Sequence, residues 1–162
     1  MPYFQAHTNT YAPASVLRER FEPVLQKDGV VGISIATRAD CLENDVLEYL
    51  SELNGRTYLI VELGLQSIFD STGERINRCH TYAEFLEGYN KLADRGINVC
   101  IHLINGLPGE DKDMMLESAK TVAALRPHCL KLHLLHVIRG TRMERELLEG
   151  RVGLMSLEDY VD

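Results

Sequence analysis

The sequence predicts an α/β protein in which about five parallel strands with outer helices form part of a (β/α) barrel of the TIM type. Three observations lead there. Strand-like and helix-like segments alternate along the chain, the pattern of repeated βαβ units. The strands are apolar on one parity and polar on the other, whereas an open doubly wound sheet is apolar on both faces. The chain has 162 residues, fewer than the ~250 that eight units need, so the expected structure is an arc and not a closed ring.

Tyr3 to Tyr11 (YFQAHTNTY) reads as the first strand, and Ser15 is the expected N-cap of a helix over Val16 to Gln26. Val30 to Thr37 (VVGISIAT) is the second strand. After the Arg38 to Cys41 loop, Val46, Leu47, Leu50 and Leu53 trace a helical stripe that Asn54-Gly55 closes. Thr57 to Leu65 (TYLIVELGL) is the third strand, followed by a polar connection expected to carry a short helix. Thr81 and Glu84 form a capping box for a helix from Tyr82 to Arg95, ended by Gly96. The run VCIHLINGLPGE, Val99 to Glu110, is a fourth strand ending in a glycine loop. Glu110, Asp111 and Asp113 then load acid onto the start of a helix over Met114 to Leu125, where the macrodipole favours it. Cys129 to Ile138 (CLKLHLLHVI) is the fifth strand, Met143 to Glu149 a helix, and Ser156 to Asp162 the start of another. No repeat, low-complexity tract or linker divides the chain, so 1–162 reads as a single domain.

With 45% hydrophobic and 25% charged residues the composition is that of an ordinary globular domain. No apolar run approaches the ~20 residues of a membrane span, and Met1 to Phe4 lacks the basic segment of a signal peptide, so a cytoplasmic protein without a membrane partner is expected. A net charge of −7 with thinly spread Lys and Arg offers no footprint for nucleic acid. Cys41, Cys79, Cys100 and Cys129 form no close pair, the pattern of free thiols in a reducing compartment.

The polar parity gathers Gln5, His7 and Asn9, then Ser34, then Glu62, Gly64 and Gln66, then His102, then Lys131 and His133. The apolar parity gathers Phe4 and Ala6, Ile33 and Ile35, Leu63 and Leu65, Leu103, Leu132 and Leu134. Helices would cover the apolar face and leave the polar one to line a lumen. There Glu62 and Gln66, with Gly64 between them, suit the hydroxyls of a ribose, while pairing of Glu62 with Lys131 is the structural alternative. His7, His102 and His133 share that face and raise a three-histidine metal site, which parity alone does not establish, so no metal ligand is assigned. His136, at the mouth end of its strand, is a better ligand contact than His80 or His128, and Arg38 and Arg78 sit in loops where a guanidinium can clamp a carboxylate. No Ser/His/Asp order, Walker loop or Gly-x-Gly-x-x-Gly occurs.

Together YFQAHTNTY, SIATRADC, VELGLQS, INRCHT, HLINGLPGE and KLHLLHVIRGT resemble successive strand ends of the radical S-adenosylmethionine (SAM) superfamily. The resemblance is closest to a bacterial group related to the catalytic subunit of Elongator, and extends more distantly to oxygen-independent coproporphyrinogen oxidase. It implies a partial barrel that carries SAM across its top, where one electron from a four-iron four-sulfur cluster releases a 5'-deoxyadenosyl radical. It also implies residue roles. Gln5, His7, Thr8 and Asn9 fall where the family handles the methionine amino group, although the usual Gly-Gly-Glu is absent. Thr37, Arg38 and Gln66 match the ribose and methionyl region, and Arg78 the carboxylate contact. Asn105, Gly106, Leu107 and Pro108 fall at the loop against adenine, with Glu62 and His133 on the lumen and His136 facing substrate. The family's Cys-x3-Cys-x2-Cys loop is absent from the sequence. The expectation is therefore a core without its first strand, inactive alone, whose intact parent holds the cluster and admits RNA as a substrate. Two other readings stand beside it: a binding module, self-associating through its exposed first strand, and a cluster-free lyase using Lys131.

Overall fold

A computed structural model describes residues 1–5 and 7–161 of the chain. Five strands, β1 (Tyr3–Phe4), β2 (Gly32–Thr37), β3 (Tyr58–Gln66), β4 (Asn98–Asn105) and β5 (Cys129–Leu134), form one sheet in the order β1-β2-β3-β4-β5. Every neighbouring pair is parallel. Consecutive order without reversal separates this sheet from a doubly wound one. With right-handed crossovers each connection returns on the same side, which puts the helices on one face and leaves the other open, the arrangement of a partial TIM-like barrel.

The helices are α1 (Ala14–Leu25), α2 (Asn44–Asn54), α3 (Asp70–Arg75), α4 (Tyr82–Ala93), α5 (Lys112–Ala124), α6 (Arg142–Leu148) and α7 (Leu157–Val161). Ile33, Ile35, Val61, Leu63, Leu65, Ile101 and Leu103 face them and are buried with Leu17 and Phe21 of α1, Leu50 and Leu53 of α2 and Phe85 and Leu92 of α4. Each such side chain removed from water contributes about 1.5–3 kcal/mol, so this layer is the core that holds the helices to the sheet. Close packing shows at Gly88 of α4, where an added Cβ would lie 2.3 Å from the Ala39 carbonyl oxygen. The cover thins at the last strand, for outward Leu130 and Leu132 of β5 remain 38% and 50% exposed.

The local signals hold at most boundaries. Thr81 accepts from the Glu84 backbone N–H while the Glu84 carboxylate accepts from the Thr81 backbone N–H. Asp111 caps α5 by accepting from the Met114 N–H at 2.9 Å, and Gly96 and Gly106 adopt positive φ at their turns. Three expectations need correction. The first strand ends at Phe4 and does not run to Tyr11, because Asn9 folds back and takes up backbone groups that a longer ladder would use. Its amide donates to the carbonyls of Phe4 (3.0 Å) and Ala36 (2.9 Å), and its backbone N–H also reaches Ala36. Ser15 does not cap α1, which begins one residue earlier; the Ala14 N–H finds the Asp45 carboxylate instead. The fifth strand stops at Leu134, where β4 ends opposite it at Asn105. The seven helical segments expected from the sequence are all present among the described residues. Ala6, placed on the apolar parity from sequence, lies outside the described residues.

Candidate functional site

The inner face of the sheet converges on Glu62. Register places Ala36, Glu62, Cys100 and Cys129 side by side on β2 to β5, and their neighbours on the same parity reach inward. Glu62 Oε1 accepts from Ser34 Oγ at 2.6 Å. Its Oε2 takes Tyr3 Oη at 2.8 Å, Lys131 Nζ at 2.6 Å and His102 Nε2 at 2.6 Å. Burial alone would raise the Glu62 pKa, but the bonds from Lys131, Ser34, Tyr3 and His102 outweigh it and hold the carboxyl down to about 2. The Lys131 ammonium also loses solvation, and Glu62 more than compensates by raising its pKa. Its ammonium lies 4.5 Å over the Tyr3 ring.

Desolvation lowers the His102 pKa despite Glu62, so the ring is neutral near pH 7. The network then assigns the tautomer: Nε2–H donates to Glu62 and Nδ1 accepts from His133 Nε2 at 3.3 Å. A lysine held protonated against a carboxylate is a poor amine nucleophile, which counts against the lyase reading.

Above this hub, at the carboxyl ends of β2, β3 and β4, opens a cavity of about 440 Å³. Its β2–β3 side is mostly polar, with Thr37, Arg38, Gln66, Arg78 and His80 beside Ala36 and Ile76; its β4–β5 side is mostly apolar, with Ile104, Leu107, Leu135 and Met143 beside His102. Thr37 is held by Thr10, whose hydroxyl is 2.5 Å from it and itself donates to the Cys41 carbonyl. Arg38 is clamped on both Asp40 oxygens, at 2.9 and 2.5 Å, and reaches the Cys79 carbonyl at 3.2 Å. Gln66 sits at a register shift with φ of 65°, and its amide folds over Gly64, where an added Cβ would lie 2.5 Å from Nε2.

Arg78 is buried and serves the loop. Nε donates to the His80 carbonyl (2.7 Å), Nη1 to Leu65 (3.2 Å) and Ser67 (2.6 Å), and Nη2 to Asp70 Oδ1 (2.8 Å). Four of its five N–H groups are thereby engaged. Space for it exists because residue 73 is glycine: a Cβ there would lie 2.8 Å from the guanidinium carbon. The following loop turns through positive φ at Asn77 and Cys79 and carries the His80 ring inward. His80 is only 8% exposed, and neither ring nitrogen has a hydrogen-bond partner.

The expected site residues separate into groups. His7, Thr8, Thr37, Arg38, Glu62, Gln66, Arg78 and Leu107 line the cavity. Asn9 is buried and engaged by backbone carbonyls, and Gln5 is exposed beyond the end of β1. His133 touches the hub through His102, whereas His136 is exposed past the end of β5 and does not line the cavity. Gly106, Leu107 and Pro108 border a second cavity of about 420 Å³ against Val152, Leu154 and Met155, and Asn105 lines neither cavity. The Ser67 hydroxyl donates to Glu110, tying that loop to the end of β3. Two contributors escaped sequence reasoning. Tyr3 shares the parity of Gln5 and was findable on that ground; His80 carried no periodic signal because it lies in a connection.

Among the described residues the potential metal ligands that converge are Glu62, Cys100 and His102, within 4.8 Å of one another, and not the three histidines. Glu62 is already held by four donors, and burial with Cys129 alongside pushes the Cys100 thiol up to about 12, so the trio is a satisfied network. No three of the four cysteines converge among the described residues, so these thiols do not fit an iron–sulfur cluster. No helix among them is long and apolar enough to cross a membrane.

Residues 4–122 match the family described as the radical SAM superfamily, and residues 127–162 match the radical SAM C-terminal domain. YtqA of Bacillus subtilis is 57% identical over 159 residues, covering 98% of this chain and 49% of that protein. Elongator complex protein 3 of Danio rerio is 33% identical over 137 residues, covering 82% of this chain and 24% of that protein. In three dimensions the chain is similar to an archaeal Elp3 from Methanocaldococcus infernus with an N-terminal deletion, with a TM-score of 0.72 and 26% identity over 80% of this chain and 30% of that one. The chain spans about half the length of YtqA or less of these proteins.

Proposed function

Since this chain belongs to the radical SAM superfamily, we propose that it is the SAM-holding arc of a radical SAM enzyme, binding the cofactor in the mouth cavity without cleaving it unaided. The observation that carries the reading is the divided cavity over the Glu62 hub, mostly polar toward β2 and β3, mostly apolar toward β4 and β5, with the orphaned nitrogens of a buried histidine inside it. Those residues fit SAM, which has an amino-acid end and a nucleoside end. Thr37, Arg38 and the remaining Arg78 N–H would hold the former, and Ile104 and Leu107 would pack on the latter. When reduced by one electron, bound SAM supplies a 5'-deoxyadenosyl radical, chemistry that belongs to the cofactor. The chain's residues bind, orient and exclude water. Glu62 fixes the floor: its Oε1 keeps one lone pair for a ligand hydroxyl.

The groups that select substrate differ freely among barrels of one fold. The net charge of −7 supports no RNA surface on this segment. With a first strand of two residues, the β1 edge offers little backbone for pairing with a second copy.

Isothermal titration of SAM into the purified chain tests the reading. Saturable one-site binding that Arg38→Ala and Leu107→Glu weaken is expected; absence of binding at millimolar SAM refutes it. Anaerobic incubation with iron, sulfide and dithionite should yield no stable cluster and no 5'-deoxyadenosine, and their appearance would overturn the claim of inactivity.

A further inference from the structure

Two histidines meet beside the Glu62 hub, on the inner side of the strand whose outward leucines are least covered. His102 stands on β4 and His133 on the neighbouring β5, where His133 is the register partner of Ile104. Nε2 of His133 lies 3.3 Å from Nδ1 of His102, and the ring centroids are 5.0 Å apart with the planes tilted by 42°. That spacing of nitrogens has a second use. One metal ion held ~2.1 Å from each would see them at an angle of about 105°, close to tetrahedral.

The hub prepares His102 for this role. Its Nε2–H is bonded to Glu62 Oε2 at 2.6 Å, so the lone pair on Nδ1 is the one turned toward His133. A metal-bound imidazole characteristically gives its other N–H to a carboxylate, which fixes the ring and strengthens the ligand nitrogen. The nearby Lys131 ammonium is paired with the same carboxylate at 2.6 Å, which offsets its repulsion of a cation. Access is open, for His133 is exposed and His102 lines the mouth cavity. Two imidazole nitrogens suit zinc, nickel or copper(II), whereas magnesium and calcium require oxygen ligands.

We propose that His102 Nδ1 and His133 Nε2 chelate a late first-row divalent cation of the zinc class, which clips β4 to β5 on the inner face of the sheet. Each nitrogen gives a lone pair to the ion, and water fills the remaining positions. The proton on His133 Nε2 passes through water to Nδ1 of the same ring, so no electron is transferred and no net proton is released. The site does not depend on the cavity holding SAM.

The test titrates zinc chloride into the whole chain by calorimetry, with the thiols kept reduced. One ion per chain is expected, with a dissociation constant of about 1–200 μM, as half the binding energy of a four-ligand site implies. His133→Ala, at an exposed position, should weaken binding by about tenfold or more while leaving the circular dichroism unchanged. Affinity should rise from manganese to copper, and millimolar magnesium should not compete. As a measure that needs no variant, His102 Nδ1 and His133 Nε2 of the labelled wild type should shift together on adding zinc. Cobalt(II) in place of zinc should show no sulfur-to-metal charge-transfer band. Absence of saturable zinc binding, equal binding in His133→Ala, unmoved resonances of the two nitrogens, or competition by magnesium would overturn the inference. A sulfur-to-cobalt band would bring Cys100 into the site and overturn the two-histidine ligand set. The outcome with SAM leaves each of these readings unchanged, so the two proposals fail separately.

Discussion

Replacing Glu62 by glutamine keeps the shape of the hub and removes its charge. The carboxyl is held down to about 2 from an ordinary 4.5. At about 1.36 kcal/mol per unit this corresponds to about 3 kcal/mol of preferential stabilisation of the folded state. The Lys131 side chain, 40% exposed, can rehydrate once its partner is neutral, so the expected net loss for Glu62→Gln near pH 7 is about 2–3 kcal/mol. Because the folded-state value is depressed, Glu62 contributes in full above about pH 4.5, and its contribution disappears as pH falls through about 2. The opposite sense holds for Lys131, whose raised value gives a contribution that is whole below about 10.5 and lost as pH rises through the folded value. Urea unfolding followed by circular dichroism, on wild type and variant at about pH 7 and about pH 3, separates Glu62 from the other carboxylates. The gap between the two proteins should narrow to about 1 kcal/mol at the lower pH. A gap below about 0.5 kcal/mol near neutrality, or one that does not shrink on acidification, would refute the view that Glu62 holds the inner face together.

Gly73→Ala places a methyl 2.8 Å from the Arg78 guanidinium carbon; a loss of about 1–3 kcal/mol in chemical denaturation is expected. Thiol labelling in the native state should modify exposed Cys79 within minutes and leave Cys100, buried with its thiol pushed up to about 12, untouched until the protein is unfolded. Leu63→Ala, inside the helix-covered layer, should cost about 2–5 kcal/mol, while Leu132→Glu, half exposed on β5, should change stability by less than about 0.5 kcal/mol. Equal effects at the two leucines would contradict the uneven helix cover.

The alternation of strands and helices, the capping box at Thr81 and the two parities of the sheet were all legible in the residues, because each is set by neighbours a few positions away. Thr81 and Glu84 announce a helix start whatever surrounds them. The polar parity of Glu62 and Gly64 follows from the pleat alone, and with it the inner face of the barrel, whereas Gln66 lies past a register shift. The resemblance to radical SAM strand ends was legible for a related reason: those ends carry local loop chemistry in a fixed order.

What the residues did not reveal depends on groups distant in the chain. The first strand looked nine residues long and has two, since the Ala36 carbonyl that captures Asn9 comes from the next strand. His136 looked like a pocket residue and is exposed, because β5 ends where β4 does. His80 looked like a residue in a connection and is buried in the cavity, carried there by a loop whose guanidinium anchor needs carbonyls from Leu65 and Ser67 and space at Gly73. By itself the sequence determined the order of elements and the side each strand turns to the helices, since propensity, capping and period two act locally. Only the tertiary structure decided which polar groups find partners and which stay free for a ligand, because hydrogen-bond satisfaction is settled by atoms that folding brings together from Tyr3 to Lys131.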